Sequence, residues 1–271
     1  MNIDSIIEQI QQHADRLQRS QQTENQPAGW RFLCVSKKVL AAKPPIALLT
    51  LNPGGETDPL RLEHESCEDG CAYSDEEWGN HRPGEHPLQK QVQLLFDALA
   101  ARLTPGECGK SLMQRSLVGY FVPFRSRDEA RLNQSQWNFG REIWAPILTK
   151  IRPRLILTID RTTFRYVSGI IRTVDASFVI ATPSTGWGAI KACICDTTFE
   201  GSPIRLVRLP HLSRFRIFGR DAGREVAESV ESLCKQITAG ISVFSSEQLR
   251  PRGVVEVQAA FSDTTIDGLL R

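Results

Sequence analysis

The residues best suited to chemistry lie in a few short stretches. Asn52, Pro53, Gly54 and Gly55 follow an apolar run, PPIALLTL at 44–51. A short amide fixed by a proline can orient a water molecule while staying neutral, and the glycines let backbone approach a substrate closely. The competing reading is a strand-ending turn, because Asn, Pro and Gly are ordinary turn residues. A second stretch, LPHLSRFR at 209–216, joins His211, whose protonation is easily tuned near neutral pH, to Ser213, Arg214 and Arg216, which suit phosphate. A third, VPFRSR at 122–127, adds Phe124, Arg125 and Arg127. His64, Cys67 and Cys71, followed by His81 and His86, could offer soft ligands to zinc. The gap between those cysteines is loose for a zinc knuckle, so a solvated acidic loop is the expected reading. No four thiolates are spaced for an iron–sulfur cluster, and neither metal nor cofactor is expected. Cys193 and Cys195 alternate along a strand-like segment and read as packing.

Helices and strands in turn must position these stretches. Ile3, Ile6, Ile7, Ile10 and Leu17 share one helical face, which predicts a helix over 2–19. Strands are expected at 44–51, 116–124, 154–159, 177–182 and 204–209. Helices are expected at about 88–103, 137–151, 161–173 and 221–237. The segment from 52 to about 86 reads as a long loop, too long to be a mere connector. Continuous apolar strands separated by helices predict an α/β fold, three layers deep, with a mainly parallel four-stranded sheet covered on both faces. In such sheets ligands bind beyond the carboxyl ends of the strands, and that rule selects the three stretches above. One domain is expected over 1–239, with 240–271 a tail or small decoration.

Composition narrows the classes of function. At 271 residues and 41% hydrophobic the chain can bury a large core, and its net charge of +2 argues against a generic polyanion binder. The charges are nevertheless segregated. Acids crowd 56–77, while Arg205, Arg208, Arg214, Arg216, Arg220 and Arg224 fall close together, and the local field matters more than the sum. Seven scattered cysteines, an odd number, favour reduced thiols. No run approaches the length of a membrane span, and the amphipathic start carries acids rather than a basic segment before an apolar one, so the cytoplasm is the expected compartment.

Asn52-Pro53-Gly54 after an apolar strand resembles the first motif of the uracil-DNA glycosylase superfamily, especially its mismatch-specific and single-strand-selective branches. Leu209-Pro210-His211-Leu212-Ser213 is similar to that superfamily's DNA-inserting loop, and SLVGYFVPFR to the strand whose end lines the base pocket. The resemblance covers roughly 44–238 by element order. It implies a monomeric hydrolase that flips a base out of DNA and cleaves its N-glycosidic bond, for repair or for defence against modified invader DNA. Within that implication Asn52 holds the water and His211 stabilises the departing base. Leu212 wedges the stack; Phe121 or Phe124 stacks on the base; Arg125, Ser213, Arg214 and Arg216 grip phosphates.

The motifs also depart from the family pattern. Thr50 stands where the first motif opens with Gly, and the imidazole lies two places beyond its usual position. Gly119 takes the place of the Asn that reads uracil, which predicts lost uracil discrimination and room for a bulkier base. The competing expectations are a noncatalytic nucleic-acid- or nucleotide-binding member of the same fold, and a metal-dependent nucleotide or nucleoside hydrolase using the acidic 56–77 loop.

Overall fold

The computed structural model describes residues 2–20, 29–54, 62–65, 68–127, 129–172 and 179–241. In chain order the elements are α1 (Ile3–Ser20), β1 (Trp30–Leu33), α2 (Val39–Ala42), β2 (Ile46–Thr50), β3 (Leu62–Glu65), α3 (Ala72–Asp75), α4 (Pro87–Leu103), α5 (Gly109–Gln114) and β4 (Leu117–Tyr120). A 3-10 turn (Glu129–Arg131) precedes α6 (Gln134–Ile151), β5 (Leu155–Ile159), α7 (Arg161–Arg172), β6 (Val179–Ala181), β7 (Ser184–Trp187), β8 (Ile190–Lys191), β9 (Cys193–Phe199), β10 (Ser202–Leu209) and α8 (Arg224–Thr238).

The expected helices and strands form close to their expected bounds. Their local signals are visible: Ile6 and Ile10 bury the apolar face of α1, and His86 caps α4, its Nδ1 accepting from Leu88 N at 3.3 Å while its own N–H donates to Gln89 Oε1 at 3.0 Å. Every residue of β2, β4 and β5 is buried, so both faces of the sheet are covered there.

The sheet is larger than expected. It has eight strands rather than four, in the order β3-β1-β4-β2-β5-β10-β9-β6, and β7 and β8 form a separate hairpin. The four central strands, β4-β2-β5-β10, are mutually parallel, and antiparallel pairing begins on either side, at β1 and at β9. The 52–86 segment is likewise not one loop, since β3, α3 and the cap of α4 lie within it. Most of the expected tail, from residue 242, lies outside the described residues. Among the described residues no helix is long and apolar enough to cross a membrane.

Candidate functional site

The parallel strands end together. Tyr120, Thr50, Ile159 and Leu209 are the last residues of β4, β2, β5 and β10, and they pair in one row across the sheet, Tyr120 with Thr50, Thr50 with Ile159, and Ile159 with Leu209. Neighbouring strands lie about 4.8 Å apart, so Thr50 and Leu209 stand about 10 Å apart across β5. Asn52 and His211 each come two residues beyond that row, on the same edge of the molecule. Asp160 leaves β5 between them.

Asn52 is half-buried and tightly held. Its Nδ2 donates to Pro53 O at 3.1 Å, Phe124 O at 3.3 Å and Ser126 O at 3.1 Å. Three carbonyl acceptors around one nitrogen fix which end of the amide is which, so Oδ1 is left as the end that can accept from a ligand. The two loops are joined again by Ser126 N to Pro53 O at 3.4 Å and by Arg125 Nη1 to Gly54 O at 2.9 Å. Arg125 therefore braces the first loop. Below, the buried Tyr73 hydroxyl donates to Thr50 Oγ1 at 3.2 Å. Pro53 is buried and Gly54 exposed, with nothing among the described residues within 4 Å of where a Cβ would stand at Gly54. Gly55 lies outside the described residues.

At the other end of the row, Arg214 N and Phe215 N both donate to His211 O, at 3.0 and 2.9 Å, closing a tight turn. The His211 ring meets Ser213 Oγ at 2.9 Å through Nδ1. Partial desolvation of the ring first, and Arg214 second, hold the imidazole pKa below its ordinary value although the residue as a whole is exposed, so the ring is neutral at physiological pH. Arg214 and Arg216 are exposed, and neither has a carboxylate partner among the described residues; Arg214 lies over the Phe215 ring at 5.5 Å.

Four expected site residues do other work. Leu212 is fully buried, because the turn around His211 folds it into the core, and it cannot act as a wedge. Gly119 opens no room: a Cβ there would stand 2.9 Å from Trp144 Cη2 and 3.0 Å from Phe32 O, so the glycine admits the indole. Phe121 is fully buried against Trp137 and Tyr166. Phe124 is buried among His13 of α1 and Phe139 of α6, with ring centroids 5.2 and 5.5 Å away. Neither phenyl face is open to a base. Of the possible metal ligands, Cys67 lies outside the described residues, Cys71 is buried, and His86 is the cap of α4. Among the described residues no three His, Cys, Asp or Glu side chains gather as a metal site would require.

Asp160 belongs to none of the three stretches, although the rule that selects Asn52 applies equally to an acid directly after the LILTI strand. Its N–H donates to Leu209 O at 3.1 Å. Its Oδ1 accepts from Thr163 N at 2.6 Å and its Oδ2 from Thr163 Oγ1 at 2.8 Å, and its φ of 125° is one that non-glycine residues rarely adopt. Burial pushes its pKa up to about 6 against the pull of those bonds, and Glu129 of the 3-10 turn adds to the rise. The chain matches no protein-family model and no curated protein.

Proposed function

We propose that this edge hydrolyses the N-glycosidic bond of a nucleobase in DNA, as the resemblance to the uracil-DNA glycosylase superfamily implies. In this reading the four parallel strands are the centre of a uracil-DNA glycosylase-like α/β/α sandwich. The observation that carries the reading is the common row of strand ends, which brings an oriented neutral amide and a neutral imidazole to one edge, each two residues beyond strand ends that stand about 10 Å apart. Asn52 Oδ1 holds the water that attacks the sugar carbon. If the Ser213 hydroxyl donates to Nδ1, the ring proton sits on Nε2, and His211 offers an N–H to the base as it leaves with the electron pair of the broken bond. Arg214 and Arg216 receive the phosphates.

The buried Leu212 changes the substrate expected. A site without a wedge gains most from bases already outside a stack, so single-stranded DNA is the preferred form. The case for a bulky modified base rested on space at Gly119 that Trp144 fills, so uracil stands on equal footing with larger bases. The test is incubation with single- and double-stranded oligonucleotides carrying uracil or modified bases, followed by alkali. Strand breakage at the base, faster in single strands, is expected. No breakage with any of them would end the catalytic reading; retained DNA affinity would then leave a binding protein of the same fold.

Gly54 offers a sharper check. Its missing side chain is required neither by packing nor by a positive φ, so Gly54→Ala is expected to leave the melting temperature within about 2 °C. If substrate backbone approaches there, base release falls at least tenfold. Unchanged release would place the substrate elsewhere on the edge.

A further inference from the structure

We propose that Asp160 is a catalytic residue of this edge, the base that takes the proton from the attacking water; this rests on the hydrolytic reading above. Three observations converge on it. Asp160 follows the last residue of β5, between the strands that deliver Asn52 and His211, and its backbone is tied to Leu209, two residues before that histidine. Its backbone is held at a φ of 125°, a conformation that costs energy at any residue but glycine and persists where the surroundings enforce it. Its carboxylate has no salt-bridge partner among the described residues, and Glu129, of like sign, adds to the rise in its pKa. Capping the first turn of α7 through Thr163 needs only an oxygen acceptor, which Asn or Ser would supply without a charge.

The step balances without a further reactant. The water oxygen bonds to the sugar C1′ as the C1′–N bond breaks, and that bond's electron pair leaves with the base. The Asp160 carboxylate takes the water proton, the His211 Nε2–H keeps its proton and hydrogen-bonds the departing base anion, and Asp160 then passes its proton through solvent to that anion, which restores both groups. A base acting at neutral pH works best with a pKa close to it, and a carboxyl titrating at about 6 is mostly ionised there.

Asp160→Asn in the full chain tests this, because Asn keeps an acceptor for Thr163 N and removes the charge. Single-turnover release from a uracil-containing single strand is followed between pH 4.5 and 8.5, beside DNA affinity and thermal unfolding. The wild-type rate is expected to rise as pH passes about 6, whereas the variant is at least 100-fold slower, lacks that limb and binds DNA as before. Stability should move the other way. The folded-state pKa lies above the ordinary 3.8, so the folded protein holds this proton more tightly than the unfolded chain, and the resulting stability is lost as pH rises through about 6. The variant escapes that loss and should melt at or above the wild-type temperature at pH 7.5. A variant with the wild-type rate and pH profile would overturn the role of Asp160 while leaving the hydrolytic reading intact. Absence of release by the wild type itself would overturn both.

Discussion

Asn52→Ala is expected to abolish base release, by at least 100-fold in kcat, while the protein still folds and binds DNA. Placing a water against a carbon on which positive charge grows is the work of Oδ1, which alanine lacks. The same substitution removes the donor shared by Pro53, Phe124 and Ser126, at a cost of about 1–3 kcal/mol for the partners left unbonded.

Asn52→Asp separates the two roles. It sets a carboxylate oxygen against three carbonyl oxygens now 3.1–3.3 Å from the amide nitrogen, which raises the new group's pKa in the folded state. Its stability is therefore greater at low pH and is lost as pH rises. Urea unfolding at pH 5 and pH 8 should show Asn52→Asp falling below Asn52→Ala at the higher pH. Equal stability of the two variants at both pH values would mean that the three carbonyls do not hold this side chain in solution.

A large effect on folding is expected from Gly140→Ala in α6. Replacing a helical glycine by alanine ordinarily stabilises by about 1 kcal/mol. Here the new Cβ would stand 2.5 Å from Phe121 O and 3.0 Å from the Phe121 ring. A backbone oxygen cannot swing aside as a side-chain tip can, so overpacking, typically about 1–3 kcal/mol and here at or beyond its upper end, reverses the sign. Chemical denaturation should show a net loss of at least 2 kcal/mol. Activity should suffer as well, because Phe121 N donates to Thr50 O at 2.7 Å and opens the loop that holds Asn52. A variant as stable as the wild type would mean that α6 packs further from β4 than described.

What the sequence made legible was the address of the site. An apolar run ending in Asn, another ending before His, and the rule for parallel sheets were enough to put Asn52 and His211 on one edge. What stayed hidden was direction. Leu212 among polar neighbours looks like an exposed tip, but two amides closing on His211 O turn it inward, and no local signal distinguishes these outcomes. Gly119 gives space to whichever neighbour claims it, and the claimant, Trp144, lies on another element. Asp160 at a strand–helix junction looks like any helix cap; only its backbone and its place between the two loops set it apart. β3, with the sequence LEHE, carries no apolar alternation and is recruited by pairing with β1.

The shared row in which β4, β2, β5 and β10 terminate also governs how such a chain can diverge. Side chains alternate across a pleated strand, so one residue inserted within β5 would turn its terminal carboxyl to the opposite surface of the sheet, and a deletion in β10 would do the same to the imidazole. Additions beyond the site residues carry no such penalty, since a longer connection leaves the pleat untouched. Lineages of this protein should therefore keep the lengths of these four segments constant while the stretches after them grow and shrink.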